Sequence, residues 1–175
     1  DRVDRIPEYV NRAFQTAQSG RPGPVVLALP EDMLSSACNA VATPRATLPS
    51  AQANQADVEA VISAMREAER PLVLLGGRNW SPAAAKAMAH VAETLDLPIA
   101  ASFRCQDFLD NRHANYVGDV GIGINPKLAQ QVRDADMIFS LGARLGEMTT
   151  SGYTLLESPV SKQKLVHVHL DPNEF

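Results

Sequence analysis

The sequence predicts an α/β fold, a parallel sheet of about six strands flanked by helices, and three observations predict it. Short apolar runs alternate with longer stretches whose apolar residues recur every three or four positions, the rhythm of βαβ units. The run Met137-Ile138-Phe139-Ser140-Leu141, preceded by Asp134 and Asp136, carries no charge. Such runs suit strands buried on both faces, as parallel sheets require. Two of the runs stop on glycine, at Gly76-Gly77 and at Gly142, where an open parallel sheet places its ligands, beyond the carboxyl ends of its strands.

The elements follow in order. Ile6 to Ser19 reads as an amphipathic helix with Ile6, Val10, Ala13, Phe14 and Ala17 on one face and Gly20 as its stop. The turn Arg21-Pro22-Gly23-Pro24 leads into an apolar strand at Val25 to Leu29, closed by Pro30. From Ser36 to Ala53 the composition shifts to Ala, Thr, Pro, Ser and Asn, and Pro44 and Pro49 exclude regular structure, so this is a connector between domains. A helix from Gln55 to Glu69 is followed by a strand at Pro71 to Leu75. Ser81-Pro82 opens a helix to about Leu95, with Ser at the cap and Pro at the first helical position. A strand covers 98–101. The stretch 102–124 is irregular, with Gly118, Gly121 and Gly123 closely spaced and room for shorter strands. Asn125-Pro126 starts a third helix to about Arg133, and strands at 136–141 and 164–169 complete the sheet. Asp171-Pro172 reads as one more helix start.

The 175 residues are 45% hydrophobic and 21% charged, with a net charge of −4, ordinary values for a globular domain. No cluster of Lys and Arg suggests a nucleic-acid surface, and no apolar run approaches the roughly 20 residues that span a bilayer. Cys38 and Cys105 lack metal-type spacing and read as reduced thiols of a cytoplasmic protein. The chain begins with Asp1 rather than Met, without a signal-peptide pattern, and reads as a piece of a longer protein.

Chemistry concentrates at the strand ends. Gly142 lets backbone approach a ligand, and Arg144 offers a planar fork of donors for phosphate or carboxylate. The alternatives for Arg144 are carbonyl capping or a surface pair with Glu147. Trp80 either stacks on a ligand or packs against a neighbouring subunit. His167 and His169, two apart on a strand, share a face, but with no third ligand they read as core or edge histidines rather than a metal site. No GxSxG, HExxH or paired-carboxylate motif is present.

RPGPVVLALPEDM, RPLVLLGG, DADMIFSLGARL and LVHVHLDPNEF, in this order and spacing, resemble the middle of thiamine-diphosphate-dependent enzymes of the acetolactate synthase and decarboxylase superfamily. The resemblance covers the whole chain. It implies that residues 1–35 are the end of a pyrimidine-binding domain, 36–53 a linker, and 54–175 a Rossmann-like central domain of the DHS-like NAD/FAD-binding type. In the full-length parent it implies thiamine diphosphate with Mg, decarboxylation of a 2-keto acid such as pyruvate, and transfer of the resulting carbanion, a transferase or lyase reaction whose chemistry the cofactor supplies. The activating Glu and the GDG-and-Asn motif of such enzymes belong to the pyrimidine- and diphosphate-binding domains. The resemblance therefore implies that this stretch neither catalyses nor holds thiamine diphosphate alone, that its partners are those two domains of the same enzyme, and that the parent is a homo-oligomer. Residues 1–30, whose natural sheet lies elsewhere, are expected to be mobile or to sit in a crystal or dimer contact.

In acetolactate synthase the central domain carries FAD across its strand ends. The matching positions here are Gly76, Gly77, Ser102, Phe103, Gly142, Ala143, Arg144 and His169. Two departures count against FAD. His169 stands where an acidic residue would receive the ribose hydroxyls, and the loop Gly118 to Pro126 lacks the Met-His-Gly pattern of flavin-binding members. Two further readings stay open: a stand-alone or regulatory nucleotide-binding module taking FAD or ADP, and a structural spacer with an empty cleft.

Overall fold

Proline and polar caps decide where the helices begin. In the computed structural model, which describes residues 2–45, 47, 51–78 and 80–175, three long helices start on such a cap. The chain divides into two compact units, Asp1–Gln52 and Ala53–Phe175.

The first unit holds α1 (Ile6–Gln18) and a short α2 (Glu31–Ser35). Arg5 and Arg12 both reach Glu8 on α1, yet α1 buries none of its residues, and Phe14 on its apolar face is 63% exposed. The strand expected at Val25 to Leu29 does not form. Its composition suits a strand, but among the described residues no other strand lies in this unit to complete its ladder, and Val26 is 93% exposed. The described connector residues from Ser36 to Ala53 carry no regular element; Pro49 lies outside the described residues.

The second unit alternates helix and strand. In α3 (Gln55–Glu67), Asn54 accepts the Asp57 N–H; β1 (Pro71–Leu75) follows. In α4 (Pro82–Leu95), Ser81 accepts the Ala84 N–H, and the helix ends on Asp96 in the left-handed region. Then come β2 (Ile99–Ser102), β3 (Tyr116–Val120), α5 (Pro126–Asp134, capped by Asn125), β4 (Met137–Leu141) and β5 (Lys164–Val168). The helix start at Asp171-Pro172 is a single 3-10 turn, Pro172–Glu174.

The pairings between the named strands are all parallel, in the order β3-β2-β1-β4-β5. The sheet has five strands among the described residues rather than about six. Of the shorter strands expected in the irregular stretches only β3 forms, and residues 145–163 run as turns and bends. Because strand side chains alternate, Leu72 and Leu74 face one layer with Ile138, Val120, Leu128 and Val132. Val73 and Leu75 face the other with Met65, Met88, Ala92, Leu97 and Ile99. Helix α5 therefore covers one face, and α3 and α4 the other. The middle strands are almost wholly buried, and the edge strands β3 and β5 only partly.

A carboxylate ties the amino ends of the strands together. Asp136 accepts the N–H groups of Glu69 at 2.7 Å and Arg70 at 3.0 Å, Arg70 Nε donates to the Asp134 carbonyl at 2.8 Å, and the Lys164 N–H donates to the Asp136 carbonyl at 2.8 Å. Desolvation pushes the Asp136 carboxyl up, but the backbone hydrogen bonds from Glu69 and Arg70 together with nearby Arg70 outweigh it and hold it below the usual carboxylate range. A depressed folded value means stability fully present above the unfolded carboxylate pKa of about 3.9 and lost as pH falls through the folded value. Asp136→Ala is expected to cost about 2 kcal/mol at neutral pH. Urea midpoints of wild type and variant should converge as the pH is lowered below about 4; a gap that keeps its full size well below that pH would show that the charge plays no part.

Candidate functional site

Where strand order reverses about β1, the loops leaving β1 and β4 meet at the carboxyl edge of the sheet. This is the topological switch point, the usual ligand crevice of an open parallel sheet. The approach of the two loops needs glycine. Gly76 N–H donates to the Leu141 carbonyl at 3.1 Å, and Gly142 N–H to the Val168 carbonyl at 2.8 Å. A Cβ on Gly142, whose φ is +74°, would lie 2.6 Å from the Gly76 carbonyl oxygen, and a Cβ on Gly76 would lie 2.6 Å from the Ala143 Cβ and collide with Ser102. Gly77, at φ +84°, lies against the Gly142 carbonyl.

The structure thus brings Gly76, Gly77, Ser102, Gly142 and Ala143 into one cluster. Ser102 is 4% exposed and Ala143 fully buried, so these two lie beneath the glycine loops rather than at the surface. Phe103 turns toward the loop after β3, where it fills the space beside Gly121, and the Arg104 guanidinium carbon lies over its ring, 5.1 Å from the centroid.

Trp80 is held by the loop after β1. Its Nε1 donates to the Gly76 carbonyl at 2.9 Å and its ring stacks on Phe108 at 5.4 Å, so it braces the loop after β1 within its own unit.

Arg144 and the two histidines sit on the β4–β5 side. The Arg144 side chain is 61% exposed, and its Nε lies 3.1 Å from Glu174 Oε2, not on Glu147 as one expectation had it. His167 Nε2 lies 2.7 Å from the Ala143 carbonyl and so donates to it, fixing the tautomer. His169 Nδ1 accepts the Asp171 N–H at 3.0 Å, which leaves Nε2–H as a donor. The rings of His167 and His169 are 5.7 Å apart, and among the described residues no three His, Cys, Asp or Glu side chains are grouped to hold a metal.

Glu174 is the residue that sequence reasoning missed. The Asp171-Pro172 helix start placed it in the first turn, but nothing local revealed that this turn folds back onto Arg144.

The arrangement offers an exposed guanidinium beside a glycine-built crevice, which can receive a phosphate or carboxylate.

The thiamine pyrophosphate enzyme central domain family matches residues 58–175. Over 179 residues the chain is 25% identical to the acetolactate synthase isozyme 3 large subunit of Escherichia coli K12, covering 99% of this chain and 31% of that protein. Over 176 residues it is 29% identical to the acetolactate synthase large subunit of Parasynechococcus marenigrum, covering 97% and 28%. In fold it is similar to a thiamine diphosphate-dependent 4-hydroxybenzoylformate decarboxylase of Rhodococcus jostii RHA1, at a TM-score of 0.70 and 23% identity, covering 98% of this chain and 33% of that one. The chain spans about three tenths of the length of these curated relatives. With two thirds of its length matched and the parallel sheet in place, the chain belongs to the thiamine pyrophosphate enzyme central domain family.

Proposed function

We propose that this chain is the central, non-catalytic part of a thiamine-diphosphate-dependent enzyme that decarboxylates a 2-keto acid and transfers the resulting carbanion, as the acetolactate synthase relatives' names suggest. The observation that carries the reading is the match along nearly the whole chain to acetolactate synthase large subunits. Thiamine diphosphate and its Mg ion are then held by the pyrimidine- and diphosphate-binding domains of the same enzyme, a homo-oligomer. In the full-length protein, release of carbon dioxide from pyruvate or another 2-keto acid should require added thiamine diphosphate and Mg. Residues 1–175 alone should release none. Turnover without the cofactor would overturn the reading.

Within that enzyme the switch-point crevice is a nucleotide platform. The residues fit the pyrophosphate of ADP or FAD, since Gly76, Gly77 and Gly142 let the two strand-end loops close on each other at the carboxyl edge and Arg144 supplies a fork of donors. They fit the ribose less well, because His169 presents a donor where a carboxylate would accept. A second reading, a structural spacer with an empty cleft, is favoured by one observation: Glu174 already holds the guanidinium. Melting curves with millimolar ADP or FAD distinguish the two, since a ligand that binds only the folded state at 100 times its Kd adds about 2.7 kcal/mol of stability. A rise with either compound supports the platform; no rise with both supports the spacer.

A further inference from the structure

We propose that Glu174 is an internal stand-in for the anionic ligand of the switch-point crevice, a carboxylate latch that a nucleotide's pyrophosphate must displace from Arg144. This rests on the nucleotide-platform reading of the crevice and adds to it a built-in competitor.

The latch is a constructed feature of the fold. Asp171 Oδ1 accepts the Asn173 N–H at 3.0 Å and the Asn173 side-chain amide at 2.8 Å, and the Glu174 N–H donates to the Asp171 carbonyl at 3.2 Å, so the 3-10 turn has its own cap. His169 Nδ1 accepts the Asp171 N–H and holds the start of that turn. Phe175 sets its ring edge-on against His167 at 5.4 Å, and His167 in turn donates to the Ala143 carbonyl. The turn is thereby attached to consecutive residues of the loop after β4, at Ala143 through His167 and at Arg144 through Glu174.

The exposures show which partner is fixed. The Glu174 side chain is 10% exposed while that of Arg144 is 61% exposed, so the carboxylate is seated in the protein and the guanidinium faces water. A guanidinium fork pairs with the planar oxygens of a carboxylate and with phosphate oxygens by the same geometry. A ligand with one negative charge exchanges like for like and gains little. A diphosphate carries more charge and more acceptor oxygens, so it gains where a singly charged anion does not, and the latch favours it.

The test is isothermal titration of the full 175-residue chain with ADP, and separately with inorganic phosphate, comparing wild type, Glu174→Gln, Glu174→Ala and Arg144→Ala, each checked for native circular dichroism. Glu174→Gln keeps the shape of the side chain and guards against a folding defect in Glu174→Ala. Removing the carboxylate is expected to tighten ADP about fivefold, the factor by which an exposed ion pair at most competes. Phosphate should remain weak in every variant, and Arg144→Ala should weaken ADP relative to Glu174→Gln. Equal ADP affinity in wild type and both Glu174 variants overturns the latch while leaving the nucleotide platform standing. Absence of ADP binding in all variants overturns both, and phosphate binding as tight as ADP overturns the selection for diphosphate.

Discussion

Gly142→Ala is expected to destabilise the unit Ala53–Phe175 by about 3 kcal/mol and to abolish any nucleotide binding at the crevice. Two costs add. At φ +74° a side chain is strained wherever it sits, and here its Cβ would also lie 2.6 Å from the Gly76 carbonyl oxygen, pushing the loops of β1 and β4 apart. Gly152→Ala separates the two, because Gly152 has φ +69° with nothing within 4 Å of an added Cβ. It should cost only about 1 kcal/mol. The single tryptophan, Trp80, lies in this unit and against Gly76, so its fluorescence during urea unfolding reads both variants directly. Equal losses in the two variants would show that the contact between the loops contributes nothing.

Ile138→Ala should have an effect of similar size, about 3 kcal/mol, for a different reason. Ile138 is 1% exposed at the middle of β4, opposite Leu72 on β1 and Leu165 on β5, in the layer covered by α5. Truncation leaves a cavity between a sheet and a helix that cannot collapse without breaking register. Val168→Ala on β5, where the side chain is 39% exposed, removes fewer methyl groups from a half-wet surface and should cost less than about 1 kcal/mol. Urea midpoints followed through Trp80 give the comparison, and near-equal losses would place the centre of the core elsewhere.

Much of the fold was legible in the sequence because the informative residues act locally. Ser81-Pro82 and Asn125-Pro126 start helices by satisfying their own first turns, and the uncharged runs at 71–75 and 137–141 are buried on both faces and so needed no knowledge of their neighbours. Legibility failed where a partner decides. Residues 116–120 include Gly118 and Asp119 and read as irregular, yet they pair with β2 as an edge strand. Residues 25–29 are the converse, with a strand's composition and no strand beside them. At the crevice, the glycines and Arg144 were readable as strand-end chemistry, whereas the Arg144–Glu174 pair joins residues thirty apart in sequence and has no local signature.

The placement of β4 beside β1 has a consequence for how the molecule comes into being. These two strands share the central ladder of the sheet, yet β2, β3 and their helices lie between them along the chain. Bringing β1 and β4 together closes a long loop before any contact between them is gained, which makes such pairings slow to form. The crevice at their carboxyl ends needs both strands and their two glycine turns. It is therefore assembled only after the pairing that is costliest in chain entropy, and a chain emerging from the ribosome has no switch point until β4 has been synthesised and has found β1.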